Sequence, residues 1–135
     1  MIAYLESSAA LALYVEEPTS AEVRSVIRDV DTLGTSMLTQ LEVIRNLHRL
    51  LDNERLALAV DQFLEDMQSM VVASVSDEVV DAAVTIAVAT GVKSLDALHL
   101  SSALILGGFG AEFLTFDRRQ AVAARAVGLR VIGAD

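Results

Sequence analysis

The chain has no cysteine, no tryptophan, one proline (Pro18) and one lysine (Lys93) among 135 residues. Without cysteine there is no disulfide framework, no thiolate zinc site and no cysteine nucleophile, and nothing marks an oxidising compartment. Aromatics are scarce at 4%, which leaves little for stacking on nucleobases. No apolar run reaches the ~18 residues of a membrane span; the longest, Val79 to Val92, is interrupted by Asp81 and ends at Gly91. Positive charge is short as well: ten Lys and Arg face nineteen Asp and Glu, a net charge of −9. A protein that holds nucleic acid mainly by neutralising phosphates should be basic. Any such work here falls to a local basic rim or a metal ion. The first residues carry no basic stretch and meet an acid at Glu6, which does not read as a signal peptide. The expectation is a soluble, cytoplasmic protein with no membrane association.

What is present is apolar mass. Hydrophobic residues make up 53% and charged ones 21%, so disorder is excluded. The length suits one domain, 1–135, with its own core. Mean hydropathy is high at +0.49, which suggests that a second chain covers part of the surface. Strand-like runs are expected at Ile2–Leu5, Thr32–Ser36, Met70–Val75, Glu112–Phe116 and Leu129–Ile132. Between them lie helical patterns: Ser7–Val15, a helix opened by the capping box Thr19–Glu22, one opened by the box Thr39–Glu42, and one capped by Asn53. Further helices run from Ser76 to the C-cap Gly91, from the cap Ser94 to Leu106, and over Asp117–Val127. The helix around Val79–Ala89 is apolar nearly all round, as in a deeply buried helix or an oligomer contact. Strands alternating with helices predict an α/β fold, a central parallel sheet with helices on both faces.

In such a sheet, ligands bind beyond the carboxyl ends of the strands. Four acids fall there: Glu6 after the first strand, Glu42 and Asp96 in the first turns of their helices, and Asp117 after the fourth strand. They are spaced 36, 54 and 21 residues apart, so only the fold can bring them together. Each has an ordinary reading too, since acids near helix N-termini satisfy free N–H groups and the dipole at ~0.3–1 kcal/mol apiece. Glu42 is the box partner of Thr39 and a neighbour of Arg45, and Asp117 is a good N-cap. Glu6 is hardest to explain that way, because Ser7 and Ser8 are the better caps. Converging carboxylates repel and raise one another's pKa unless a cation sits among them. Oxygen ligands without cysteine select a hard ion, Mg²⁺ or Mn²⁺, suited to activating water against a phosphodiester. Gly107-Gly108-Phe109-Gly110 follows a helix and reads as a turn, not as a phosphate loop. A phosphorylatable receiver domain needs an acid pair after the first strand and a lysine near the last, and this chain has neither.

Four segments together, Tyr4-Leu5-Glu6-Ser7-Ser8-Ala9-Ala10, Leu41-Glu42-Val43, Leu95-Asp96-Ala97-Leu98-His99-Leu100 and Leu114-Thr115-Phe116-Asp117-Arg118-Arg119, resemble the acidic motifs of PIN-domain ribonucleases. The resemblance is nearest to VapC toxins of prokaryotic toxin–antitoxin pairs, and it spans the chain in order. It implies a PIN-like three-layer sandwich and a Mg²⁺- or Mn²⁺-dependent endoribonuclease, neutralised by a cognate antitoxin protein and commonly a homodimer. Carried onto this sequence, the catalytic and metal-site acids are Glu6, Glu42, Asp96 and Asp117, with Thr115 in support. One residue departs from the family pattern: Glu6 stands where Asp is usual, and its extra methylene changes the reach of the carboxylate. The alternative implied is a PIN-fold module, weakened in catalysis, that binds RNA or its antitoxin.

Arg45, Arg118 and Arg119 are the candidate RNA contacts. Arg118 and Arg119 sit in a first helical turn, where the dipole disfavours cations; Lys93 is a further candidate. His99 lies one turn after Asp96 and reads as a packed, hydrogen-bonded histidine. His48 reads as a surface residue.

Overall fold

Five short apolar and β-branched runs form the strands: β1 (Ile2–Leu5), β2 (Thr32–Ser36), β3 (Val71–Ala73), β4 (Glu112–Thr115) and β5 (Arg130–Gly133). The computed structural model describes residues 2–134. All pairings are parallel, and the strand order is β3-β2-β1-β4-β5. The helices are α1 (Ser7–Leu11), α2 (Ser20–Arg28), α3 (Met37–Leu50), α4 (Asn53–Met67), α5 (Asp77–Thr90), α6 (Ser94–Gly107) and α7 (Arg118–Ala126). Every expected strand is present: β1 and β2 with the expected bounds, β3 and β4 shorter, and β5 shifted by one residue.

Successive strand residues face opposite sides of a sheet, and the two central strands show how this makes two cores. Tyr4 of β1 and Phe113 of β4 point to one side, where Ala83 and Ile86 of α5, Ala97, Leu100 and Ala103 of α6, and Ala123 and Ala124 of α7 cover them. Leu5 and Leu114, the next residues along, point to the other side. They meet Ala9 and Ala10 of α1, Val23 of α2, Val43 and Leu47 of α3, and Phe63 and Met67 of α4. The result is three layers, helix–sheet–helix, as the alternating pattern predicted. The Tyr4 and Phe113 rings stack with centroids 5.3 Å apart, which ties β1 to β4.

Several local expectations are corrected. α1 stops at Leu11 and gives way to turns, short of Val15. The box at Thr39–Glu42 does not form. α3 begins earlier, at Met37, because Ser36 Oγ accepts from Leu38 N at 3.1 Å. Thr39 is buried and accepts from Thr35 Oγ1 at 2.8 Å. The box at Thr19–Glu22 also fails, since Thr19 makes no side-chain cap; Ser20 Oγ instead donates to Ala12 O at 2.6 Å and accepts from Glu17 N at 2.9 Å. The residue before α4 is Asp52, and Asn53 is already helical. Lys93, not Ser94, is the residue at the N-cap of α6. Gly91 closes α5 as expected, in the left-handed region at φ 76° where a Cβ would be strained.

α5 is not buried all round. Val79, Ala83 and Ile86 face the core while Val80, Val84 and Val88 lie on the outside, 41%, 58% and 83% exposed. α6 is the helix enclosed on several sides, with Ala97, His99, Leu100, Ser101, Ser102 and Ala103 all buried. No helix of the described residues is long and apolar enough to cross a membrane.

Candidate active site

The sheet winds one way from β1 through β2 to β3, and the chain then crosses to the opposite side of β1 to lay down β4 and β5. The switch point is therefore between β1 and β4, where loops diverge and leave a crevice at the carboxyl ends. Glu6 follows β1 and Asp117 comes two residues after β4. Thr115, the last residue of β4, is fully buried between them. Asp96, in the first turn of α6, and Asp117 line one cleft of about 560 Å³ with Lys93, Thr90 and Arg119. Glu42 projects from the second turn of α3.

The four acids differ in what already holds them. Glu6 is only 4% exposed, and both its oxygens are engaged. Its Oε1 accepts from the backbone N–H groups of Ser8 and Ala9, so Glu6 is itself the N-cap of α1. Its Oε2 accepts from Ser8 Oγ and Thr115 Oγ1, each at 3.1 Å. The sequence suggested that Ser7 and Ser8 were the better caps; the glutamate itself turns back over α1. Burial is the largest influence on Glu6 and holds its carboxyl above the usual range, against the opposing pull of Ser8, His99 and the N–H groups.

Asp117 caps α7, but only through one oxygen: Oδ1 accepts from Arg119 N at 2.9 Å and Gln120 N at 3.1 Å. Asp96 accepts no hydrogen bond from any described residue. Its carboxyl is raised first by burial, then by the like charges of Asp117 and Glu42, with His99 and Lys93 pulling the other way. The charges of Asp117 and Glu42 thus reach Asp96.

Glu42 is held by two donors on a single oxygen. Ser7 Oγ donates to Oε1 at 2.6 Å, and His99 Nε2 approaches the same atom at 2.6 Å. Burial pushes Glu42 up, but the bonds from His99 and Ser7 outweigh it and hold the carboxyl below the ordinary range. The opposite ring nitrogen of His99, Nδ1, lies 2.7 Å from Tyr4 Oη. The trio is not a serine-nucleophile triad, which needs its serine and its acid on opposite imidazole nitrogens; here both meet Nε2.

The expected acids thus gather at one edge of the sheet. Asp96 keeps both oxygens, Asp117 keeps Oδ2 and Glu42 keeps Oε2, and this hard, anionic donor set is what a divalent ion of the Mg²⁺ class takes. As they stand, no three acidic or imidazole side chains among the described residues are close enough to close a metal site. The donor chemistry fits such an ion, and holding one requires these side chains to draw together. Of the basic candidates, Arg119 and Lys93 line the acidic cleft. Arg118 is exposed beside it, and Arg45 borders a separate hollow with Met37, Gln40 and Leu41. Tyr4 and Ser7 were missed as site residues. Their signal was weak, because a strand tyrosine and a helix-start serine have ordinary readings, and their partners lie 95 and 35 residues away. His99 is packed and bonded, as read, and His48 is exposed.

A family model described as the PIN domain matches residues 3–126. This chain belongs to the PIN domain family. It is 32% identical over 129 residues to Ribonuclease VapC46 of Mycobacterium tuberculosis, covering 96% of this chain and 95% of that protein. Two solved structures share the PIN fold at low identity. FitAcB from Neisseria gonorrhoeae has a TM-score of 0.74 at 14% identity, covering 98% of this chain and 97% of that one. VapBC2 from Rickettsia felis, bound to a DNA fragment from its promoter, has a TM-score of 0.71 at 14% identity and covers both chains in full.

Proposed function

We propose that this PIN domain, acting as one domain over 1–135, is a divalent-metal-dependent endoribonuclease of the VapC type. The observation that carries the reading is the set of free carboxylate oxygens on Asp96, Asp117 and Glu42 at the switch point of the sheet. The named ribonuclease relative, aligned over nearly the whole chain, supports it. Asp96 and Asp117, with Glu42, are the residues that would hold Mg²⁺ or Mn²⁺. Glu6 joins them as a ligand only by releasing part of its cap; otherwise it acts through Thr115. A divalent ion there supplies charge neutralisation for the scissile phosphate and an activated water. The chain's own residues do the rest. Glu42 aligns the attacking water, Asp96 and Asp117 would hold the ion that meets the scissile phosphate, and Lys93, Arg119 and Arg118 draw in the flanking phosphates, with Arg45 further out. This local rim compensates for a net charge of −9.

The test is cleavage of pooled cellular RNA with Mg²⁺ or Mn²⁺ by the native chain and by Asp96→Asn. The variant should lose at least about 100-fold in rate, more than loss of an outer-shell partner usually costs. Equal rates would remove the assigned site.

The partner reading is an antitoxin, as in the toxin–antitoxin neighbours. A surface of −9 with an apolar hollow of about 460 Å³ beside Tyr14, Leu51 and Leu58 suits a basic amphipathic helix. A homodimer through the exposed valines of α5 completes the reading, with the cytoplasm as the setting.

A further inference from the structure

A cluster of side-chain hydrogen bonds centred on one buried histidine lies behind the acids. His99 is 2% exposed on the inner side of α6, one turn after Asp96. It joins Tyr4 of β1 to Glu42 of α3, with Ser7 of α1 touching the same point. Four elements thus converge on one imidazole. Tyr4 is itself fixed, fully buried and stacked on Phe113, with its ring edge-on to His99 at 5.9 Å.

The hydrogens in this group follow from its chemistry. Glu42 Oε1 lies 2.6 Å from His99 Nε2, a contact that needs a hydrogen between a carboxylate and the ring. Ser7 donates its only hydroxyl hydrogen to the same oxygen at 2.6 Å, so Nε2 carries the other. On a neutral ring Nδ1 is then the acceptor for Tyr4 Oη, 2.7 Å away, and on a charged ring Nδ1–H donates to that oxygen; in both, Nε2–H points to Glu42. Burial raises Tyr4 far above its ordinary range, so its hydroxyl keeps its proton. With two donors on Oε1, the open acceptor of Glu42 is Oε2. A core histidine needing only satisfaction could have used backbone carbonyls. This one is spent on a carboxylate whose side chain is 26% exposed.

We propose that His99 is a positioning residue for the nuclease site, held by Tyr4 in the orientation that donates Nε2–H to Glu42, so that together with Ser7 it presents Glu42 Oε2 to the metal-binding edge. The proposal rests on the metal-site reading above and adds to it a tie between Glu42 and α6, the helix that carries Asp96.

Two substitutions separate this role from simple packing. Glutamine places an amide nitrogen where Nε2 lies, and asparagine places one where Nδ1 lies. His99→Gln can still donate to Glu42, while His99→Asn can only meet Tyr4. The experiment is calorimetric titration of Mn²⁺ into the native chain, both His99 variants and Asp96→Asn, with each variant's thermal unfolding recorded in EDTA. Expected is a Kd for His99→Gln within about 3-fold of native, and one for His99→Asn weakened about 10–100-fold, the usual cost of losing an outer-shell partner. Both variants should melt at similar temperatures. If the two bind Mn²⁺ alike while Asp96→Asn binds poorly, His99 is a packing residue and the proposal falls. If Asp96→Asn binds as well as the native chain, the metal-site reading itself falls and takes the proposal with it. Should the variants not fold, nitrogen NMR of native His99 at about pH 8, where a free imidazole is neutral, decides. A hydrogen on Nε2 supports the arrangement; a bare Nε2 with the hydrogen on Nδ1 overturns it.

Discussion

At the residue scale, the behaviour of Glu6 is set by the groups that hold its carboxylate. Its carboxylate reaches back to two backbone N–H groups and two hydroxyls, so it works as the N-cap of α1 at the same edge where Asp96 stands unpartnered. Its folded pKa lies above its ordinary value of 4.5, which has a consequence for stability. The folded chain still holds this proton at pH values where the unfolded chain has released it. Stability from this group is therefore full below the unfolded pKa and is lost as pH rises through the folded one. Glu6→Gln removes that dependence. The fold should accept the amide: its oxygen can take the Ser8 and Ala9 N–H groups, and the hydroxyls of Ser8 and Thr115 can turn to accept from its nitrogen. Urea unfolding in EDTA between about pH 5 and about pH 8 should show native stability falling relative to the variant as pH rises. Parallel curves would mean that Glu6 is already ionised throughout. The difference between the two proteins isolates Glu6 from Asp96, which is raised and acts in the same direction, and from Glu42, which is lowered and acts in the opposite one.

At the element scale, two kinds of cap serve two purposes. α3 and α5 begin at serines, Ser36 and Ser76, which are not among the acids. α1 and α7 begin at Glu6 and Asp117, where the cap is also part of the site. Ser76→Ala should therefore cost about 1 kcal/mol, a fall in Tm of roughly 4 °C, with RNA cleavage unchanged; a calorimetric scan and a cleavage assay check both. In the core, Phe63 of α4 is 1% exposed and packs edge-on against Tyr14 at 5.4 Å. Phe63→Ala should destabilise by about 3–5 kcal/mol, read as a lower urea midpoint. Elements of this kind were legible before the fold was known. The Ser76 cap and Gly91 stop of α5 follow from local chemistry, and most strands stand out as short apolar runs between turns, whereas Thr32–Ser36 carries only Leu33 as an apolar side chain. Thr39–Glu42 shows where local reading fails. The pattern matches a capping box, yet Ser36 competes for the helix start and the sheet buries Thr39 against Thr35.

At the scale of the whole molecule, the strand order places the acids together, and the valine face of α5 points outward. Val80, Val84 and Val88 recur every fourth residue, so they form one stripe along the helix. If that stripe is the dimer contact, Val84→Glu with Val88→Glu should convert the chain to a monomer by light scattering while leaving its far-ultraviolet circular dichroism unchanged. A native chain that is already monomeric at the same concentration would sink the dimer. The apolar surplus was visible in composition, but which face it would occupy was not. The sequence singled out α5 as the helix apolar nearly all round, and only packing on the sheet decided that α6 is the enclosed one while α5 keeps one side outside.

By itself, the order of residues determined the alternation of strands and helices, the parallel sheet, and the placing of Glu6, Asp96 and Asp117 after strands or at a helix start. It could do so because periodicity, caps and turn residues act over a few positions. Glu42 lies one turn deeper in its helix than the sequence implied. Tertiary structure alone decided which carboxylate oxygens are spent and which are free. Glu6 is turned inward over α1, Glu42 is gripped by Ser7 and His99, and Asp96 is left open beside Asp117. Those outcomes depend on partners as far as 109 residues apart in the chain, and only the winding of the sheet brings such groups within hydrogen-bonding distance.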